Sequence, residues 1–271
     1  MNYAICNETF VDWEWERMLE CIALLGYQGV EVAPFTLADH AAEVGAQRRR
    51  DLRRAALAAG VPVVGLHWLL VKPTGLHLTT PDDAVRNRTA DYFVDLVHLC
   101  ADLGGSVMVI GSPKQRSLLP GITRERAMGY ARGVFEQVLP EAGRCGVTLA
   151  IEPLTPQDTD FIQTAADGIE LVEAIGHPNF RLHLDVRAMS GSEKRPLPEV
   201  IKSSANHLHH FHANDSNLLG PGMGEIDHRP LLKALKEIDY KGYVSVEVFD
   251  YRPGAETIAR RSIHYLRQAS A

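Results

Sequence analysis

Residues Val147 to Leu154 read VTLAIEPL and predict a short buried strand that ends on a charged side chain. The part from Val147 to Glu152 is mostly β-branched or apolar, and it is enclosed by Gly146 and Pro153. A strand covered on both faces of a parallel sheet is apolar throughout, so the carboxylate of Glu152 at its end requires an explanation. A buried carboxylate persists only beside a cation or several hydrogen-bond donors.

Three further apolar stretches downstream carry an ionisable side chain at or near their ends. FRLHLD ends on Asp185, LHHFH ends on His212, and YVSVEV carries Glu247. Together with Glu152 they give two glutamates, one aspartate and one histidine, which is a ligand set suited to hard divalent cations. Any one of them alone could be a hydrogen-bonded polar group of the core. Four at successive strand ends favour a metal site.

The rest of the chain alternates strand-like and helix-like segments. The eight strand-like stretches are YAICN, GVEVAP, VPVVGLH, SVMVIG, VTLAIE, FRLHLD, LHHFH and YVSVEV. No linker or change of composition separates them, so we predict one domain over residues 1–271. Eight parallel strands with right-handed crossovers close into a (β/α)8 TIM barrel, whose active site lies at the carboxyl ends of the strands. No glycine-rich phosphate-binding sequence follows any strand, which argues against an open doubly wound sheet.

Local signals predict several helix boundaries. Asp12 is the expected N-cap of the first helix, and Asp227 that of the helix before the last strand. Thr80, followed by a proline, predicts the start of the helix after the third strand. Pro140 predicts a kink or a break in the helix before VTLAIE. Residues 189–193 are expected to form a loop.

Composition and charge exclude several classes of protein. The chain has 271 residues, 45% of them hydrophobic, and a formal net charge of −6, which argues against nucleic acid or an anionic membrane as a partner. No apolar run approaches about 18 residues and no signal sequence begins the chain, so neither a membrane span nor secretion is predicted. The four cysteines show no paired spacing and are interpreted as reduced thiols. We therefore expect a cytoplasmic protein.

The four strand-end residues suit proton transfer beside a carbonyl group. A carboxylate-rich set with one histidine favours Mn²⁺ and also suits Mg²⁺ or Co²⁺, whereas Zn²⁺ is less natural without further nitrogen or sulfur ligands. A metal bound by a carbonyl and an adjacent hydroxyl stabilises an enediolate. Two carboxylates on opposite sides of the substrate can then act in turn as base and acid.

The chain resembles the sugar-phosphate isomerase/epimerase-like, or xylose-isomerase-like, TIM barrels, and within them the keto-sugar 3-epimerases and inosose isomerases. The segments IEPL, LHLD, HFHAND, GPGMGEID and VSVEVF carry the resemblance, which covers nearly the whole chain. It implies that Glu152, Asp185, His212 and Glu247 bind one divalent metal ion. It also implies that Glu152 and Glu247 transfer the proton, one on each face of the substrate. A carbohydrate or cyclitol substrate and a homo-oligomer are further implications.

Two positions depart from the epimerase pattern. The epimerases carry a substrate-binding histidine three residues after the metal aspartate, where this chain has Ala188. They carry an arginine six residues after the metal histidine, where this chain has Leu218. The substrate contacts are therefore not those of a ketohexose epimerase.

Other side chains near the strand ends are candidates for contact with the substrate. We predict contacts from Glu31, His67, Trp68 and Arg187. Glu31 could instead orient His67, Trp68 could serve in packing, and Arg187 could be a surface ion-pair residue.

Four more residues are interpreted as structural. We expect His183 and His210, two residues before metal ligands, to be packed and hydrogen-bonded one layer deeper. Lys114 and Arg116 are interpreted as solvated loop charges.

The sequence leaves four functions open. The first is a metal-dependent isomerase or epimerase of a keto-sugar, keto-cyclitol or related polyol. The second is a lyase that cleaves a 3-keto-glycoside, including C-glycosides, by elimination, since it begins with the same proton abstraction. An endonuclease-IV-like phosphodiesterase is disfavoured by Ala188, where that family has a zinc-binding histidine, and by the missing Asp-x-His pair around residues 225–228. A non-catalytic sugar-binding barrel is the fourth.

Overall fold

The computed structural model describes all 271 residues and contains eight parallel strands that close into a barrel. Each strand pairs with its neighbours in chain order, and the eighth pairs with the first. The predicted (β/α)8 barrel is confirmed. The strands are β1 (Asn2–Cys6), β2 (Gly29–Val32), β3 (Val63–Leu66), β4 (Val107–Ile110), β5 (Thr148–Ile151), β6 (Phe180–Asp185), β7 (Leu208–Ala213) and β8 (Tyr243–Val246).

Nine α-helices surround the barrel, because two short helices connect β6 to β7. They are α1 (Trp15–Leu25), α2 (Ala46–Ala58), α3 (Asp83–Leu103), α4 (Arg124–Cys145), α5 (Ala165–Ile175), α6 (Val186–Ser192), α7 (Leu197–Ser203), α8 (Arg229–Glu237) and α9 (Ala255–Ala269). None of them is both long enough and apolar enough to cross a membrane.

The barrel interior is layered. Ala4, Val64, Val107 and Ala150 pack together as a small cluster apart from the main core. The strands β1 and β3 are not paired, so contact between their side chains identifies the inside of the barrel. Successive side chains of a strand point to opposite faces, and Glu152 therefore shares the inward face of Ala150. Because of this alternation, the side chains at the strand ends point into the barrel at its carboxyl end.

Two predicted helix starts are wrong. Helix α1 begins at Trp15 with Glu14 as its N-cap, because Asp12 has a φ of 65° and belongs to the preceding turn. Helix α3 is capped by Asp82, whose carboxylate accepts hydrogen bonds from two backbone N–H groups, and Thr80 lies outside the helix.

Three further expectations are corrected between β4 and β8. Helix α4 continues through Pro140 to Cys145, so the predicted break is wrong; a proline removes only one hydrogen bond of the helix, and the flanking turns are packed on the core. The expected loop from residue 189 belongs largely to α6, which begins directly after β6 because the Asp185 carboxylate accepts a hydrogen bond from the Ala188 N–H. The N-cap of α8 is His228, one residue after Asp227.

Candidate active site

The four strand-end residues meet at the carboxyl end of the barrel. Glu152 follows β5, Asp185 ends β6, His212 lies in β7, and Glu247 follows β8. Their exposed fractions are 7%, 2%, 0% and 4%. Glu152, Asp185 and His212 each offer a ligand atom within 4.8 Å of the others, and His183 joins this group. His212 Nδ1 lies 3.1 Å from Glu247 Oε2, which brings the fourth residue to the same place.

A cavity of about 500 Å³ opens above these side chains. Glu152, Asp185 and Glu247 contribute to its lining, whereas His212 lies beneath it and is fully buried. The volume falls within the range of roughly 300–1,000 Å³ that is usual for small-molecule sites. The carboxylates therefore face a space that admits a small ligand.

The charges of the site fit a divalent cation. Burial, and then the negative charge of Glu247, raises the pKa of Asp185 to about 6. Burial, followed by repulsion from Glu247 and Asp185, raises the pKa of Glu152 well above its usual range. The buried guanidinium of Arg116 donates to the backbone carbonyl of Glu152, and not to its carboxylate. Two neighbouring buried carboxylates that no cationic side chain contacts offer the oxygen ligands that a hard metal ion prefers.

Glu31 lies below the cavity and does not line it. It is fully buried, and its carboxylate accepts a hydrogen bond from His210 Nε2 at 2.8 Å. His212 Nε2 lies 3.1 Å from the same carboxylate. Burial raises the pKa of Glu31, but the two histidines outweigh it and hold that pKa well below the usual range. Glu31 thus orients His212 and not His67. With Nε2 of His212 held by Glu31, the other ring nitrogen, Nδ1, points to Glu247.

His67 and Trp68 line the cavity, but their nitrogens are directed at protein carboxylates. His67 Nδ1 lies 3.1 Å from Glu247 Oε1, and His67 Nε2 lies 2.8 Å from Glu8 Oε2. The indole N–H of Trp68 donates to Glu247 Oε1 at 2.8 Å. Burial lowers the pKa of His67, but the two carboxylates raise it well above its usual range. The imidazole therefore has no free nitrogen for a substrate.

Arg187 lies at the cavity wall and is paired. Its guanidinium donates to Asp158 at 3.1 Å and lies over the ring of Phe249, 5.2 Å from the ring centroid. Leu218, at the position where the epimerases carry arginine, also lines the cavity. One wall thus combines an ion pair with apolar side chains.

Sequence reasoning overlooked Glu8 and Asn214 and misread Arg116. Glu8 is 1% exposed and follows β1, where the same argument from strand ends would have detected it. Asn214 donates to Asp185 Oδ2 at 2.5 Å, and its place two residues after His212 was the available signal. Arg116 is fully buried and donates to the carbonyl of Ile110, so its interpretation as a solvated charge is wrong. Burial lowers the pKa of Arg116 to about 10.

The two deeper histidines differ from one another. His210 is hydrogen-bonded to Glu31, as predicted. His183 is fully buried with neither ring nitrogen hydrogen-bonded, which corrects the expectation of a satisfied side chain. Its ring packs against that of His212, with the centroids 4.2 Å apart.

Comparison with known proteins agrees with the barrel fold. The family described as xylose isomerase-like TIM barrel matches residues 19–269. The D-psicose 3-epimerase of Agrobacterium fabrum is 28% identical over 250 residues, which cover 89% of this chain and 83% of that enzyme. The structure of a D-psicose 3-epimerase in the presence of D-fructose has a TM-score of 0.86 at 21% identity and covers 100% of this chain and 99% of that one.

A second solved structure shows the same fold. The 3-keto-D-glucoside 4-epimerase from E. coli has a TM-score of 0.85 at 19% identity, and the match covers 99% of both chains. The sequence match spans nearly the whole barrel, including all four strand-end residues. The chain therefore belongs to the xylose isomerase-like TIM barrel family.

Proposed function

We propose that the protein is a divalent-metal-dependent epimerase or isomerase of a keto-sugar, keto-cyclitol or related polyol. One observation carries the proposal: two glutamates, from the ends of β5 and β8, face the same cavity beside Asp185 and His212. The similarity to ketose 3-epimerases supports a carbohydrate substrate.

Four residues would hold the metal ion. We assign the carboxylates of Glu152 and Asp185, His212 through Nδ1, and Glu247 through Oε2. His212 Nδ1 and Glu247 Oε2 lie 3.1 Å apart, which is close enough for both atoms to contact one ion. Mn²⁺ is the proposed ion. When bound, it would supply positive charge for the substrate oxygen on which negative charge develops.

The two glutamates would move the proton. The Glu152 carboxylate accepts no hydrogen bond from another side chain of this protein, although it is 7% exposed. It is therefore free to accept a proton from the carbon beside the carbonyl group. Glu247, on the strand three places further round the barrel, would return a proton from the opposite face and so invert that carbon. Asp185, held by the Ala188 and Asn214 N–H groups, would not move.

A lyase acting on a 3-keto-glycoside is the second candidate. Leu218 and Val71 are among the few large hydrophobic side chains that are exposed, at 38% and 44%, and both line the cavity. An apolar wall in place of the expected arginine leaves room for a sugar substituent. The structural likeness to a 3-keto-D-glucoside 4-epimerase fits a substrate of this kind.

One screen distinguishes these reactions. Purified protein with Mn²⁺ is incubated with ketoses, keto-inositols and 3-keto-glycosides, and the products are identified by NMR and mass spectrometry. The proposal predicts an isomer of unchanged mass, whereas elimination releases the aglycone. Glu152→Gln should abolish the conversion, and the exposed Glu43→Gln should leave it unchanged. Stoichiometric Mn²⁺ without turnover of any class would contradict an enzyme and favour a sugar-binding barrel.

A further inference from the structure

Glu247 is joined to the opposite side of the barrel by a buried chain of contacts. Glu8 lies in the turn after β1, and its Oε2 is 2.8 Å from His67 Nε2. The other nitrogen of His67 is 3.1 Å from Glu247 Oε1. Glu8 and His67 are each 1% exposed. An imidazole whose two ring nitrogens both lie within hydrogen-bond distance of carboxylates has its ring plane fixed.

Trp68 supplies a second donor to the same oxygen. Its indole N–H lies 2.8 Å from Glu247 Oε1. Consecutive side chains of an extended strand point to opposite faces, so His67 and Trp68 would not both reach one atom from a regular strand. The φ of 53° at Trp68 turns the chain and brings both donors to Glu247. Such a left-handed conformation is unfavourable for a bulky residue and persists where the surroundings compensate.

We propose that Glu8, His67 and Trp68 are positioning residues that form a clamp on Glu247. The two donors hold Oε1 away from the metal position, so that Oε2 alone faces His212 Nδ1, 3.1 Å away. Glu8 acts through His67 by fixing its ring. The clamp rests on the proposed function for its assignment of Glu247 as a metal ligand.

The clamp makes the two glutamates unequal. Glu247 Oε1 faces two donors, whereas the Glu152 carboxylate has no comparable partner. Glu247 is thus the more firmly held of the two carboxylates. Loosening the clamp would allow Glu247 to turn and would weaken the metal site without emptying the hydrophobic core.

Two variants test the clamp by removing one polar contact each while keeping a related side chain. Trp68→Phe removes the indole donor and keeps an aromatic ring, and Glu8→Gln removes the charge behind His67. Trp13→Phe is the matched control, because Trp13 packs against Phe10 outside the cavity. Mn²⁺ affinity is measured by electron paramagnetic resonance, and folding by thermal unfolding.

Both clamp variants should show a cooperative thermal unfolding transition, as a folded protein does. They should bind Mn²⁺ about 10–100-fold more weakly, and the Mn²⁺ affinity of the control should not change. Wild-type Mn²⁺ affinity in both variants would overturn the clamp. Crystal structures give a readout that does not depend on metal or turnover: Glu247 should change its side-chain conformation in Trp68→Phe. An unchanged Glu247 there would refute the clamp, whereas a wild-type protein that binds no Mn²⁺ would refute the proposed function instead.

Discussion

Gly111, directly after β4, is predicted to be essential for the position of the Glu152 carboxylate. A Cβ at this position would lie 2.4 Å from Glu152 Oε2, and real Cβ contacts essentially never fall below 3.0 Å. In Gly111→Ala the carboxylate oxygen must therefore move by at least 0.6 Å, the difference between these distances. A misplacement of about 1 Å in a catalytic group can cost about 10²-fold in rate, so we expect kcat to fall roughly 10–100-fold.

The assay compares the turnover of Gly111→Ala with that of Gly129→Ala. A Cβ at Gly129, inside α4, would have no atom within 4 Å, so this control makes the same chemical change without a steric conflict. It should keep wild-type kcat and gain about 0.5–1 kcal/mol of stability from the helix. Wild-type turnover in Gly111→Ala would refute the placement of Glu152 in the reaction.

Three further variants test the scaffold of the site by urea unfolding. Glu31→Ala leaves the N–H groups of two buried histidines without an acceptor and should cost about 3–5 kcal/mol; a loss below about 1 kcal/mol would contradict the role of Glu31. Arg116→Met removes donors to the carbonyls of two strand ends and should cost about 3 kcal/mol or more, whereas unchanged stability would show that those bonds contribute nothing. Pro140→Ala restores a hydrogen bond inside α4 and should add about 1–3 kcal/mol, and a loss would contradict a regular helix there.

The barrel was predictable from the regular alternation of strand-like and helix-like segments. Its four site residues were predictable from their positions at the ends of strand-like segments. Strands of a parallel barrel all end on the same side, so ionisable residues at the ends of β5 to β8 necessarily approach one another. Each apolar stretch also marks its own end by a sharp change to a charged side chain, as at Glu152 and Asp185. These assignments required no knowledge of the loops.

The depth of a residue inside the barrel was not predictable. Glu31 was recognised on β2, but the pairing of β2 with β3 shifts register between Val30 and Glu31. Glu31 lies one layer below the cavity, and no sequence pattern records the register of neighbouring strands or a local irregularity in it. Arg116 was misinterpreted for a similar reason, because burial of a loop cation depends on where the loop folds.

Several expectations stay predictions. They are the identity of the metal ion, the homo-oligomer and the cytoplasmic location. Light scattering of the purified protein measures the oligomeric state.

Turnover in D₂O of the substrate that the screen identifies tests the proposed proton transfer most directly. A proton that passes through a carboxylate in an open cavity exchanges with solvent before it returns to carbon. The account predicts one deuterium at the carbon beside the carbonyl in the product, and no such label when Glu152→Gln replaces the wild-type protein. Product formed by the wild type without carbon-bound deuterium would contradict exchange through Glu152 and Glu247 and would indicate a hydride shift between carbons or complete recycling of the substrate proton.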